Sequence, residues 1–97
     1  MNDTHLELNK AGHGTFFINE ADERVAEMVI SISVNQLTVY HTEVFEKGEG
    51  QGFGKQLLET MVDYARNHNL KVIPLCPYVL AQFKRHPALY NDIWSKA

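Results

Sequence analysis

Cys76 is the side chain in this sequence with the clearest capacity for covalent chemistry. It is the single cysteine, and Pro77 after it suits the first position of a helix. A thiol at a helix N-terminus is favoured as thiolate, the nucleophilic form. The competing interpretation is a small buried residue that ends a strand, because free cysteines are among the most buried residues. On residue type alone, the second interpretation is the stronger one.

His41 and Glu43 form a second candidate group, two residues apart in a predicted strand. Alternation along a strand places both on one face. Either side chain could accept a proton from an ammonium group, which must be neutral before it attacks a carbonyl carbon. A solvent-facing carboxylate and a half-buried histidine are the plainer interpretations, and they are slightly favoured. The other histidines show no ligand spacing among themselves, so no metal site is predicted.

Directly after that strand, a loop carries glycines at positions 48, 50, 52 and 54 and runs into an amphipathic segment. Glycine permits positive φ and lets a ligand approach the main chain. The first N–H groups of a helix have no intrahelical partner and lie at the positive end of its dipole. A strand, a glycine loop and a helix N-terminus in this order predict a phosphate site, here a pyrophosphate cradle. A plain glycine-rich turn is the alternative.

Two familiar phosphate loops do not fit these residues. A P-loop requires Gly-Lys followed by Ser or Thr, whereas Gln56 follows Gly54 and Lys55. In the dinucleotide fingerprint counted from Gly50, Lys55 occupies the third glycine position. Neither nucleotide-binding motif is therefore predicted.

The segment Glu49–Gly54 resembles the R/Q-x-x-G-x-G/A loop of the GNAT superfamily of acyl-CoA-dependent N-acyltransferases. Glu49 departs from the usual Arg or Gln, and we expect its carboxylate to face solvent. The resemblance implies acetyl-CoA as co-substrate, with the pyrophosphate on loop amides and the pantetheine arm along the fourth strand. The implied acetyl-CoA-binding residues are Val44, Phe45, Gly50, Gln51, Gly52, Phe53, Gly54 and Lys55.

A narrower resemblance links nearly the whole chain to the short YjdJ-like GNAT subgroup, through His41-Thr42, the GQGFG loop, residues 74–78 and residues 85–87. This narrower resemblance also implies that Cys76 is a candidate catalytic residue. Most GNAT members insert about two helices after the first strand, whereas residues 9–14 alone fill that interval here. The comparison implies an open, shallow acceptor side. Many members also carry a tyrosine on the last helix as general acid, but residues 81–84 contain no hydroxyl. Cys76 is a possible substitute.

The remaining elements follow from residue pattern. β-branched and aromatic residues predict strands at 6–8, 15–20, 24–34, 37–45 and 71–75. Helical periodicity predicts helices at 53–68 and 77–85. We expect the tail to pack back as a short helical turn through Leu89, Ile93 and Trp94. Strict alternation in the fourth strand would place Leu37, Val39, His41, Glu43 and Phe45 on one face. Because both faces of that strand carry apolar residues, we expect the sheet to be covered on both sides.

The predicted fold is mixed α+β, an antiparallel four-strand meander followed by a β-α-β crossover and a C-terminal helix. The crossover should be right-handed, which makes the fourth and fifth strands parallel. Their carboxyl ends then share one edge, where open α/β sheets bind ligands. This places Cys76 beside the glycine loop, and with that placement the catalytic and structural interpretations of Cys76 stand near parity.

Length and charge exclude several classes of protein. The 97 residues predict one minimal acetyltransferase domain, residues 1–97. The net charge of −3 and the absence of a basic run argue against nucleic-acid binding. No apolar run reaches membrane-spanning length, and the N-terminus lacks a signal peptide's apolar segment. A single cysteine suits the cytoplasm. We expect a monomer or weak dimer.

These patterns lead to one functional prediction and two alternatives. The prediction is an acetyl-CoA-dependent N-acetyltransferase that acts on an amine of a protein or small molecule. Transfer is either direct, with Glu43 or His41 as base, or through an acetyl-Cys76 intermediate. The first alternative is a non-catalytic acyl-CoA-binding module or adaptor. The second is a small structural domain whose glycine loop is only a turn.

Overall fold

A computed structural model describes residues 3–96 of the chain. Its elements follow the predicted order, with a 3-10 turn at Glu46–Gly48 before the first helix. The strands are β1 (Thr4–Leu8), β2 (His13–Glu20), β3 (Glu23–Ser33), β4 (Gln36–Val44) and β5 (Lys71–Pro74). The helices are α1 (Phe53–Asn67), α2 (Pro77–Arg85) and α3 (Pro87–Tyr90). Among the described residues, no helix is long and apolar enough to cross a membrane.

The five strands form one sheet in the order β1-β2-β3-β4-β5. The first four pair antiparallel, and β4 pairs with β5 in parallel. The predicted meander, crossover and mixed α+β class are therefore confirmed.

Helix α1 forms because its apolar residues recur at helical spacing and its start coincides with the end of the glycine loop. Its buried stripe packs on residues from β2 and β3 such as Phe16, Ile18 and Met28. Leu57 is fully buried in this layer, and truncating such a leucine to alanine costs about 2–5 kcal/mol. The stripe comprises Phe53, Leu57, Leu58, Met61, Val62 and Ala65.

A β-bulge in β4 corrects the predicted strand face. Val29 pairs with His41, whereas its neighbour Ile30 pairs with Val39, so Tyr40 is an extra residue on β4. An extra residue reverses the alternation beyond it. Leu37 and Val39 therefore face the helices. His41 and Glu43, which strict alternation would place on the same face as Leu37 and Val39, face away from the helices. Phe45 lies beyond the end of β4.

The helices all lie on one side of the sheet, which corrects the expectation of two covered faces. Tyr64 of α1 packs on Phe16, and the Tyr78 side chain of α2 lies against Gly54 of α1. The molecule measures 39 × 33 × 20 Å, and its short axis is the thickness of one sheet plus one helix layer. We call the uncovered side the open face. At its centre are Thr15, Phe17, Glu27, Val29, His41 and Glu43.

The tail binds to both α1 and the outer edge of β5. Arg66 donates hydrogen bonds to both carboxylate oxygens of Asp92, at 2.9 and 3.2 Å, and to the Leu89 carbonyl. Trp94 then forms a parallel bridge with Val72. The predicted tail contact through Leu89 is wrong because that side chain is 57% exposed, whereas Ile93 is buried.

Candidate active site

The glycine loop turns tightly at two positions that favour glycine. Gly50 and Gly52 have φ of 79° and 78°, in the left-handed region. Gly52 is also the N-cap of α1. A Cβ atom at either position would meet no protein atom within 4 Å. The backbone conformation therefore favours glycine here, while the space above the main chain stays open to a ligand.

The main-chain N–H groups around this turn divide into two sets. Those of Gly48 and Glu49 donate to carbonyls inside the preceding turn. Within residues 3–96, the six consecutive N–H groups of residues 50–55 donate to no backbone carbonyl or capping side chain. The last three belong to the first turn of α1, at the positive end of its dipole. Such a row of donors is suited to a diphosphate.

Next to the loop, β4 and β5 separate. Their last paired residues are Val39 and Pro74, and Cys76 N–H donates to the Val39 carbonyl at 2.9 Å. Beyond that point, residues 41–44 stay paired with β3, and within residues 3–96 the segment 40–44 has no partner on the β5 side. The free strand edge leaves main-chain groups for an extended ligand arm. The N–H of Phe45 already bonds to β3, so Val44 is the better placed of the two predicted residues.

Cys76 lies on the helix side of this gap. The thiol is 3% exposed and donates to the Thr42 hydroxyl oxygen at 3.3 Å. It caps α2 by position, although its side chain makes no capping hydrogen bond. Two residues along β4, the Val44 side chain would lie 3.8 Å from a Cβ placed on Gly54, which connects this gap to the start of α1. The structure thus brings Cys76 and the glycine loop together on one edge of the sheet.

Tyr78 is a further candidate that was not among the predicted catalytic residues. Its ring and hydroxyl would lie 3.6 Å from a Cβ placed on Gly54, so it stands at the junction of the two helices. Burial raises the pKa of the Tyr78 phenol, and neighbouring Tyr90, Cys76 and Glu59 raise it further. The signal in the sequence was Pro77, because a helix starting there puts residue 78 in its first turn.

His41 and Glu43 lie on the open face, across β4 from Thr42 and the thiol. His41 Nε2 and Glu43 Oε1 are 3.2 Å apart, and both side chains are about half exposed. Glu27 stands opposite Glu43 on β3. The three predicted catalytic side chains are therefore split between the two sides of one strand, and they do not form a single cluster.

The other predicted binding residues differ in what they can offer. The Phe53 ring is in the core, so its contribution would be its N–H group. Lys55 is exposed in the first turn of α1. The Gln51 side chain donates back to the Lys47 carbonyl at 3.3 Å. Over the described part of the chain, no three His, Cys, Asp or Glu side chains are grouped as metal ligands.

Comparison with known proteins defines the class. The profile of the GCN5-related N-acetyltransferase family matches residues 15–93, and the chain belongs to this family. The predicted family and the predicted enzyme class, an acyltransferase, are confirmed. A search of curated proteins finds no match.

Solved structures share the fold. A GCN5-like protein from Staphylococcus aureus is 26% identical with a TM-score of 0.70, and the alignment covers 100% of this chain and 93% of that one. A ribosomal-protein-alanine N-acetyltransferase from Brucella melitensis is 18% identical, with a TM-score of 0.64 and coverage of 92% and 66%. A GNAT family acetyltransferase from Elizabethkingia anophelis, solved with acetyl-CoA bound, is 14% identical, with a TM-score of 0.65 and coverage of 91% and 74%.

Proposed function

We propose that this chain transfers the acetyl group of acetyl-CoA to an amine. The observation that carries the proposal is the row of six N–H groups at residues 50–55, which opens beside the gap between β4 and β5. The amides and the dipole of α1 suit the pyrophosphate, and the free edge of β4 suits the amide groups of the pantetheine arm. Acetyl-CoA bound to a family member of the same fold supports this choice of co-substrate.

In the direct route, groups on one side of β4 remove a proton from the amine, and groups on the other side donate a proton to the leaving thiolate. On the open face, His41 or Glu43, or a water that Glu43 orients, takes the proton from the acceptor ammonium. The amine nitrogen then forms a bond to the acetyl carbon, and the carbon–sulfur bond breaks. On the helix side, the departing thiolate takes a proton from Cys76 or Tyr78, and the second proton that the amine nitrogen loses as the amide forms restores that donor.

The covalent route uses the same residues in another order. The Cys76 thiol would first attack the acetyl carbon and release coenzyme A as its thiol. The deprotonated amine would then take the acetyl group from Cys76 and restore the Cys76 thiol. The hydrogen bond from the Cys76 thiol to the Thr42 hydroxyl oxygen supports the direct route, in which this thiol serves as a proton donor. A thiol that is 3% exposed is also poorly placed to attack without movement of α2.

Coenzyme A titration calorimetry tests the binding step, and thiol release with a panel of amines tests the transfer. We expect binding, followed by transfer to at least one amine. Binding without transfer to any amine would instead favour a non-catalytic acyl-CoA-binding module. The lack of any binding would leave the glycine loop as a structural turn.

Cys76→Ala and Cys76→Ser separate the two routes. The direct route predicts residual transfer in both variants and no acetyl adduct on the parent protein by intact mass. The covalent route predicts an adduct of one acetyl group on the parent and complete loss of transfer in Cys76→Ala.

A further inference from the structure

The centre of the open face is a broad shallow surface. An open depression of about 450 Å³ has Glu7, His13, Thr15, Val29 and Tyr40 among its lining residues. Its floor is the sheet, and every helix lies on the other side. Small-molecule sites bury about 70–90% of their ligand's surface. A small amine here would keep one whole side in water, whereas a larger partner would cover the face.

The charge on this face is negative. On strands β1 to β4, this face carries one guanidinium, that of Arg24, and three carboxylates, those of Glu7, Glu27 and Glu43. Arg24 is itself held by Glu7 and Glu27, at 3.2 Å each, and lies 4.1 Å above the Phe17 ring. The cation is therefore occupied, while Glu43 pairs with the imidazole of His41 and lies opposite Glu27 on β3. The face offers unbalanced carboxylates to a positively charged partner.

The mouth of the gap opens onto the same surface. Tyr40, the bulged residue, is 45% exposed where β4 leaves β5, and its hydroxyl lies 2.7 Å from Ser31 Oγ. Leu75, at the end of β5, is 60% exposed. An acceptor amine that enters from the open face passes Tyr40 and the His41–Glu43 pair before it reaches the gap.

We propose that the open face docks a lysine-rich protein segment, so that the acceptor of this enzyme is a protein and not a small free amine. This inference rests on the proposed function for its chemistry. One lysine of the segment reaches the gap at Tyr40, while neighbouring cationic residues lie over Val29 and Thr15 towards Glu7. Most of the contact is made by residues that take no part in the acyl transfer.

Binding and transfer are measured with one probe, fluorescein-labelled oligolysine of about 20 residues, against N-acetyl-lysine methylamide as the single amine. We expect oligolysine to give kcat/KM at least tenfold higher per amine, and that ratio to fall as salt rises. Fluorescence anisotropy measures oligolysine binding without any chemistry. An equal kcat/KM per amine for the two acceptors would overturn the inference while leaving the proposed function intact.

Two charge variants locate the docking surface. Glu7→Lys on the open face and Asp63→Lys on α1 make the same change in net charge on opposite sides of the molecule. We expect Glu7→Lys to weaken oligolysine binding at least fivefold and Asp63→Lys to change it less than twofold. Equal weakening by both variants would mean that only net charge matters, and the inference would fail.

A third variant and two further measurements separate local charge from misfolding and from self-association. Thr15→Lys places a cation in the middle of the face without breaking the Arg24 ion pairs, and it should weaken binding as Glu7→Lys does. Far-ultraviolet circular dichroism checks that each variant is folded. Sedimentation of the parent that shows a dimer dissociated by Glu7→Lys would assign the face to a second copy and overturn the inference. If no amine is acetylated, the proposed function fails, and the anisotropy series still decides whether the face binds cations.

Discussion

The two sides of β4 differ in burial, in charge and in the kind of hydrogen bond they hold. Towards the helices, Thr42 accepts a hydrogen bond from a thiol that is almost fully buried. Towards solvent, His41 and Glu43 contact each other and are about half exposed. Strand β4 thus lies against the buried Cys76 sulfur on one side and carries a solvent-exposed acid–base pair on the other. We call these the dry side and the wet side of the strand. In the proposed transfer, the wet side handles the amine and the dry side handles the leaving thiolate.

The largest effect is expected on the wet side of β4, where a double variant removes the proposed general base. In the double variant His41→Ala with Glu43→Gln, kcat/KM should fall about 100-fold near neutral pH, because general-base catalysis contributes roughly that much or more. The loss should shrink as the pH approaches about 10, where a lysine amine deprotonates unaided. Coenzyme A affinity should not change. An unaltered pH–rate profile would show that the base lies elsewhere.

A second prediction concerns the loop that joins the two sides. Gly52→Val should weaken coenzyme A binding about tenfold or more, because the left-handed conformation costs an L-residue about 1–2 kcal/mol and the side chain enters the ligand's space. Asn69→Ala is the control, since Asn69 has a φ of 55° just beyond the other end of α1. Titration calorimetry should show weakened binding for the first variant alone. Thermal unfolding should register strain in both.

The dry side should respond in stability. Thr42→Val removes the acceptor of the Cys76 thiol, and we expect a loss of about 1 kcal/mol or less from the free energy of unfolding, because the thiol is a weak donor. Thr42→Ser keeps the hydroxyl and should lose less. Urea denaturation measures both variants. A Thr42→Val protein as stable as the parent would show that this hydrogen bond adds nothing to the fold.

The smallest effect lies away from both faces, in the contact between α1 and the tail. The hydrogen bond from Arg66 holds the pKa of Asp92 below its ordinary value of 3.8. A carboxyl group with a depressed pKa stabilises the fold above its unfolded value, and that stability is lost as the pH falls through the folded value. Asp92→Asn should therefore melt slightly earlier than the parent near neutral pH, and the gap should close below about pH 4. A gap that stays constant with pH would contradict this assignment.

The sequence was most informative where single residues restrict the backbone. The glycines at 50 and 52 predicted the loop, and Pro77 predicted the start of α2, because few other residues satisfy those conformations. The crossover rule then brought Cys76 to the loop without any contact being known.

The sequence was least informative about which way side chains face. Alternation put His41 and Glu43 with Leu37 and Val39, and the bulge at Tyr40 reversed this. A bulge depends on pairing with β3 and has no local signature in residues 37–45. The bare sheet face was missed for a similar reason. Phe17 is apolar, yet it is covered by the Arg24 and His5 side chains and not by a second layer.

The end of the chain also limits how copies of the molecule can associate. The main chain of residues 93–95 bonds to both the N–H and the carbonyl of Val72, which occupies the middle of the β5 edge. Within residues 3–96, β1 is then the outer edge of the sheet that stays uncovered along its whole length, and the other unpaired edge is the short gap beside residues 40–44 of β4. Sheet extension from such a molecule stops at a symmetric pair, since growth into a fibril requires two complementary edges.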